Sequence, residues 1–230
     1  GSGLMLEWVA QAIDTLAQRL TRLESLPFND FSPDAQVFDH FFGDGTVDPR
    51  WTLTVTGTGS VTIPNTTPTI ARLATGATAN STAQLDTGSN YQFVGLANAM
   101  EGRTRFAVTT AIDDDDEIGL RFRTAGADVI DIGVFGASST GFYVCRSTSG
   151  GGGSVETTVT NTPIDTSYHD FAIVTMPDRI RFFIDNDWAG EHTTEITTGP
   201  YRPQLRAYNG AGAGAARTMD VDLIWVREAR

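Results

Sequence analysis

The chain has 230 residues, of which 40 % are hydrophobic, and it contains 24 glycines. This size fits one large β domain with an appendage, or at most two small domains, and the composition is typical of an ordered protein with many turns. A formal charge of −12 argues against nucleic acid or an anionic membrane as a partner, because phosphate groups would repel the chain.

All 16 basic residues are arginine, so chemistry that requires lysine, such as a P-loop or a Schiff base, is excluded. Cys145 is the single cysteine, which excludes an internal disulfide. The sequence has no apolar run long enough to cross a bilayer, so membrane insertion is not expected. No cofactor is predicted from these residue types.

The chain opens with Gly1-Ser2-Gly3, which is typical of a cloning scar, and continues with a predicted amphipathic helix over residues 4–26. Apolar residues recur in this helix at alternating intervals of three and four, the a/d pattern of a coiled coil. They are Leu6, Val9, Ile13, Leu16, Leu20 and Leu23. Pro27 ends the helix because proline lacks the backbone N–H that a helix needs. Residues 27–33 are predicted to be a linker.

Two interpretations of this helix remain open. The a/d pattern with alanines beside it predicts self-association, with a trimer favoured. The same spacing also occurs in helices that pack on their own domain, and three heptads are marginally stable alone. The terminal position and the polar join that follows favour self-association.

Residues 34–230 are predicted to form one β domain. Short segments of alternating apolar and polar residues follow one another, separated by turns rich in glycine, aspartate and asparagine. In one such segment Leu120 and Phe122 should face inward, and Arg121 and Arg123 outward. Strands without helices between them predict an antiparallel sandwich or jelly roll.

Three segments resemble concanavalin A-like, laminin-G-type jelly rolls. Tyr168–Ile196 has an aromatic–His start, two apolar strands and a D-N turn, which is the pattern of that family. Phe38–Ile63 is similar to the family's opening strand, and Met219–Ala229 is similar to its closing strand. The resemblance implies a mainly β, antiparallel concanavalin A-like jelly-roll sandwich, here preceded by one N-terminal α-helix.

Some members of this superfold are glycoside hydrolases, and their carboxylates follow the pattern Glu-x-Asp-x-Glu so that an acid and a nucleophile share one face of a strand. The corresponding strand here, Ala127–Gly136, has no glutamate. Its two acids, Asp128 and Asp131, are three residues apart and should face opposite ways. We therefore expect no catalytic residues and no enzymatic activity.

Two acidic stretches are candidate metal sites. Asp113–Glu117 reads DDDDE and could supply oxygens to calcium, which leaves calcium as an open alternative. The stretch lacks a calcium-loop framework and is interpreted as a solvated hairpin tip. Asp185-Asn186-Asp187 is interpreted as a hairpin turn. No metal site is predicted.

Glycan sites in such jelly rolls use loop aromatics that stack on sugar rings, with polar side chains nearby. The candidates for ligand binding are Trp188, Tyr201, Tyr208 and Asn209. Each has an alternative structural role, because aromatic side chains with a polar tip also pack in the fold. Trp51 and Trp225 are instead expected in the core, since apolar residues flank them at the same strand parity.

A terminal helix joined to one jelly roll, without a catalytic motif, resembles the fibre, spike or decoration proteins of tailed bacteriophages. That resemblance implies a homo-oligomer located on the virion, in contact with other virion proteins, whose β domain binds a cell-surface glycan. One alternative is a carbohydrate-binding module of a bacterial surface or secreted protein. Another is a glycoside hydrolase with an unrecognised site.

Overall fold

The computed structural model describes much of the β domain and none of the predicted helix. The described residues are 31–39, 47, 50–64, 70–88, 93–94, 100–108, 116–124, 126, 128–135, 141–149, 153–197, 200–211 and 215–229. The six apolar positions of the helix over residues 4–26 lie outside them, so the helix and its self-association stay predictions. Within the described ranges, the chain has no helix with the length and apolarity needed to cross a membrane.

Sixteen strands are formed by the described residues. They are β1 (Phe31–Asp39), β2 (Thr52–Thr56), β3 (Ser60–Thr62), β4 (Ala71–Ala74), β5 (Thr82–Asp86), β6 (Phe93–Val94), β7 (Met100–Val108), β8 (Glu117–Arg123), β9 (Val129–Phe135), β10 (Phe142–Ser149), β11 (Gly153–Pro163), β12 (His169–Met176), β13 (Arg179–Ile184), β14 (Asp187–His192), β15 (Pro200–Tyr208) and β16 (Thr218–Ala229). Strand β1 begins at Phe31 and so includes residues that the sequence assigned to the linker.

The strands form two antiparallel sheets. The first sheet has the order β14-β13-β12-β7-β16-β4-β3, and β1 also pairs with β16. The second sheet has the order β11-β10-β9-β8-β15-β5-β2, and β6 also pairs with β15. The chain passes repeatedly between the sheets, for example from β7 in the first to β8 in the second. The predicted mainly β, antiparallel sandwich is confirmed.

The core lies between the sheets because alternate side chains of each strand point to the same side. In β8, Leu120 and Phe122 are fully buried in the core, as the alternation predicts. Gly102 of β7 faces Phe122 so closely that a Cβ there would collide with its ring. The two sheets are thus in direct contact at the centre of the sandwich.

A β-bulge in β16 changes which side chains face the core. The register of β16 against β7 shifts between Val221 and Leu223. Because a shift of one residue reverses the faces of a strand, Ile224 and Val226 point inward and Trp225 points outward, under the guanidinium of Arg227. The prediction that Trp225 is a core residue is wrong for this reason, whereas Trp51 is buried in the core as predicted.

Candidate functional site

The outer face of the second sheet carries a continuous row of polar side chains. Adjacent strands align these residues directly opposite one another, so their side chains share one face. The row, called here the central row, consists of Asp86, Gln204, Arg121, Asp131, Arg146 and Glu156. It crosses β5, β15, β8, β9, β10 and β11 through the middle of the sheet.

Asp131 lies at the centre of this row and is fully buried. Its Oδ1 accepts a hydrogen bond from Arg121 Nε at 2.5 Å, and its Oδ2 accepts one from Arg146 Nη2 at 2.8 Å. Ionised partners make hydrogen bonds stronger than neutral ones. Asp131 is therefore held in place by the two arginines on either side of it.

Glu117 joins the same network from β8, four residues before Arg121 and therefore two positions further along the same face. It accepts from Arg121 Nη2 at 3.1 Å and from Arg146 Nη2 at 3.3 Å, and Arg206 Nη2 lies 3.3 Å from it. Burial opposes ionisation of this carboxyl, but the charges of Arg121, Arg206 and Arg146 outweigh that effect and lower its pKa. Glu117 is thus a carboxylate at neutral pH.

Glu117 and Asp131, called here the acid pair, lie close together. Arg146 Nη2 contacts an oxygen of each of them, at 3.3 and 2.8 Å. The two oxygens are therefore no more than about 6 Å apart, which is near the spacing of about 5–5.5 Å found in retaining glycosidases and below that of inverting ones. The side chain of Glu117 is 23 % exposed, whereas that of Asp131 is fully buried.

Between the strand positions of Glu117 and Asp131 lie two residues without side chains, and both are buried. Gly119 of β8 and Gly133 of β9 are directly opposite each other and are called here the glycine floor. A Cβ at Gly133 would collide with the carbonyl oxygen of Ile118, and Gly133 has a φ of +154°. Glycine permits this close approach of the two backbones because it has no side chain. The floor is bordered by Arg206 on one side and by Val144 on the other.

Three buried polar atoms on this face have no hydrogen-bond partner among the described residues. They are the acceptor Gln204 Oε1 and the donors Arg202 Nε and Arg206 Nε. Buried polar groups in native proteins are nearly always paired, so each such atom calls for an explanation. A ligand hydroxyl at this face would satisfy both kinds of atom, since it donates and accepts.

The four predicted ligand-binding residues do not form one site. Trp188 is 52 % exposed on β14 of the first sheet, edge-on to Phe183. Tyr201 is fully buried and its hydroxyl donates to the carbonyl of Thr197, so an external sugar does not reach it.

Asn209 is also fully buried, and its side chain ties two backbone segments together. Tyr208 alone belongs to the face of the acid pair, directly opposite Glu117, with its hydroxyl donating to Asn80 at 2.6 Å. Ligand contact by Trp188 and Tyr208 stays a prediction.

The acid pair was missed because its members are not close in sequence. The interpretation of DDDDE as a solvated tip is wrong at its end: Asp116 is buried against Arg217 at 2.5 Å, and Glu117 begins β8. Residues 113–115 lie outside the described part. The sequence did predict that Arg121 faces outward. An arginine that alternates with core residues needs an acidic partner on a neighbouring strand, and this could have pointed to the acid pair.

In the strand that aligns with the glycosidase pattern, the outer acids are absent. Val129 and Gly133 occupy the positions two residues before and after Asp131. The second carboxylate comes from the neighbouring strand instead, as Glu117. Among the described residues no group of three or more His, Cys, Asp or Glu is arranged to hold a metal ion.

Comparison with known proteins identifies the fold. No family model and no curated protein matches the sequence. An endo-β-1,3-glucanase from Pyrococcus furiosus is similar in structure, with a TM-score of 0.64 and 16% identity over 84% of this chain and 94% of that one. The Crh5 transglycosylase has a TM-score of 0.61 and 18% identity over 89% and 88% of the two chains. The carbohydrate recognition domain of Emp47p has a TM-score of 0.60 and 13% identity over 87% and 98%.

These structures correct two predictions. The chain was expected to be a non-enzymatic structural protein of a phage, and that expectation is contradicted, because the similar structures include glucanases, a laminarinase and a transglycosylase. The expected location on a virion is not tested. At this low identity the likeness establishes the fold. The chain is a concanavalin A-like jelly roll whose second sheet carries a carboxylate pair between arginines.

Proposed function

We propose that the chain acts on a glycan as a retaining glycoside hydrolase or transglycosylase, with its substrate lying across the outer face of the second sheet. The observation that carries this proposal is the acid pair, whose oxygens are no more than about 6 Å apart. The fold is shared with a β-1,3-glucanase and a transglycosylase, which supports the same class of reaction.

Glu117 is the candidate nucleophile of this pair. It is the member that solvent reaches, and the arginines around it keep it ionised, which is the state that attacks an anomeric carbon. Asp131 is the second carboxylate and is bound to the same arginines. The glycine floor is buried, so a sugar on this face would lie over the ion-paired side chains of the acid pair and its arginines. In a retaining reaction the covalent intermediate passes to water or to a second sugar, giving hydrolysis or transglycosylation.

Carbohydrate recognition at the same face is the second candidate function. The observation that favours it is that both carboxylates accept hydrogen bonds from arginines, whereas a general acid must carry a proton. Similarity to the Emp47p carbohydrate recognition domain supports this candidate. The two functions use the same surface and differ in whether a glycosidic bond breaks.

One experiment separates them. The full chain is incubated with laminarin, mixed-linkage β-glucan and mucin-type O-glycans, and new reducing ends and transfer products are measured. We expect turnover with retained anomeric configuration by NMR, and a loss of about a thousandfold or more in Glu117→Gln because the nucleophile is removed.

The control is Glu191→Gln, which removes a carboxylate paired with Arg181 on the first sheet and should keep full activity. Binding without turnover would contradict the enzyme and support recognition. Turnover that survives Glu117→Gln would contradict the site.

A further inference from the structure

Two arginines stand directly opposite each other at one end of the same face. Arg123 of β8 pairs with Arg202 of β15. Each lies two residues along its strand from a member of the central row, Arg121 or Gln204. Side chains that are directly opposite in an antiparallel pair have their Cβ atoms about 5 Å apart. Arg123 and Arg202 are called here the arginine pair.

The arginine pair lacks the partners that arginines have elsewhere in the described residues. Neither guanidinium makes an ion pair or hydrogen bond there, and the buried Nε of Arg202 is without a partner. By contrast, Arg121 and Arg146 each bind both members of the acid pair.

Such an arrangement has a cost in the folded chain. Like charges directly opposite each other in a sheet destabilise it, and a buried donor without a partner costs the loss of its hydration. An anion between the two guanidinium groups removes both penalties, since each group presents a planar fork of donors that fits a carboxylate or sulfate.

We propose that the arginine pair binds the anionic group of an acidic polysaccharide, a carboxylate or a sulfate ester, beside the acid pair. This inference rests on the proposed function and specifies its substrate class. The pair lies on β8 and β15, the strands that also carry Glu117 and Arg206, so one extended chain of sugars on this face contacts both places.

The overall charge of −12 does not prevent this binding. At physiological ionic strength the screening length is about 8 Å, so distant acids of the protein have little effect on a bound anion. The negative charge instead opposes unspecific adhesion of polyanions. Binding should therefore require a discrete anionic group at the arginine pair.

The test uses one glucan in three forms: laminarin, laminarin sulfate, and laminarin oxidised to carry C6 carboxylates. Dissociation constants are measured by calorimetry with the full chain at 0.15 M and 0.5 M salt. We expect at least one anionic form to bind about tenfold or more tightly than laminarin, with the preference reduced at high salt. The sulfated and oxidised arms show which anion is preferred.

The variants Arg123→Gln and Arg202→Gln should remove that preference, and Arg123→Lys should restore only part of it because lysine lacks the fork. Arg179→Gln removes the same charge from the first sheet and should have no effect. Equal binding of neutral and anionic forms would overturn the inference while leaving the proposed function intact. Failure to bind or cleave any form would overturn both.

Discussion

The outer faces of the two sheets are built by the same alternation of side chains, but they arrange charge differently. On the first sheet two ion pairs are local and have an exposed partner: Arg72 binds Asp220 at 2.6 Å and Arg181 binds Glu191 at 2.9 Å. Pairs of this kind contribute little to stability. One carboxylate of this sheet, Glu101, is buried and binds both Arg103 at 2.5 Å and Arg227 at 2.7 Å.

On the second sheet the charges form one shared network. The acid pair is bound by arginines from three strands, β8, β10 and β15, and the arginine pair has no partner in the part of the chain that the structure describes. Both faces thus contain a buried carboxylate. Among the described residues, only the second sheet has two carboxylates that bind the same two arginines, Arg121 and Arg146. This difference is the reason for assigning the proposed site to the second sheet.

The largest expected effect that tests this difference is the loss of Asp131. Asp131→Ala leaves Arg121 buried with one carboxylate fewer, and should lower the free energy of unfolding by about 3 kcal/mol or more. The matched variant on the first sheet, Asp220→Ala, leaves Arg72 half in solvent and should cost about 1 kcal/mol or less. Urea unfolding followed by circular dichroism measures both. Equal losses would mean that the two faces do not differ.

A smaller effect is expected at the glycine floor. Gly133→Ala places a Cβ against the carbonyl oxygen of Ile118 and should cost about 2–3 kcal/mol, because backbone has to move. Gly141→Ala is the control: it also has a positive φ, of +82°, but a Cβ there meets nothing within 4 Å. It should cost about 1 kcal/mol from strain alone.

Urea unfolding of both variants, measured as for Asp131→Ala, distinguishes the cost of the Cβ contact from the cost of the positive φ. If both alanines cost the same, the close approach of β8 and β9 is not what requires glycine at this point of the face.

The smallest effect concerns a contact that joins the sheets. His192 of the first sheet is buried between Ser147 and Thr157 of the second, at 2.9 and 3.1 Å. Burial lowers the pKa of His192, so the unfolded chain takes up its proton more readily than the folded one.

Stability from His192 is therefore present above the ordinary histidine pKa of about 6.5 and is lost as the pH falls below it, by roughly 1 kcal/mol or less. His169 acts in the other direction. Burial opposes its charge, but hydrogen bonds from its ring to Asp185 and Asp165 prevail and raise its pKa, so its contribution is lost as the pH rises.

Unfolding at pH 7 and pH 5 in the wild type and in His192→Gln isolates the first effect, because His169 is common to both. A change between the two pH values that is the same in both proteins would contradict the assignment.

Much of the fold was predictable from the sequence because it depends on local alternation. Leu120 and Phe122 face the core as their parity predicts, and Asp185 and Asn186 form the hairpin turn between β13 and β14 with φ of 53° and 66°. The position of Trp225 was predicted wrongly because strand alternation alone does not reveal a β-bulge.

The site was not predictable in the same way. Glu117 and Asp131 lie on different strands, and only the register of β8 against β9 brings them together. Register is set by packing across the sheet, which a single sequence does not show. A pattern confined to one strand, such as Glu-x-Asp-x-Glu, therefore does not detect a carboxylate pair that spans two strands.

The face of the acid pair has a thermodynamic consequence for whatever binds there. An ordinary surface loses side-chain freedom when a ligand covers it, at about 0.5–1.5 kcal/mol for each mobile side chain that is immobilised. Gly119 and Gly133 have no side chains to immobilise, and their strands are held on both sides by neighbours in the sheet. Both glycines are buried, so a sugar at this face would contact the side chains of Glu117, Arg121 and Arg146, which their ion pairs already hold in one arrangement. The ordering entropy of the complex would therefore fall mainly on the ligand.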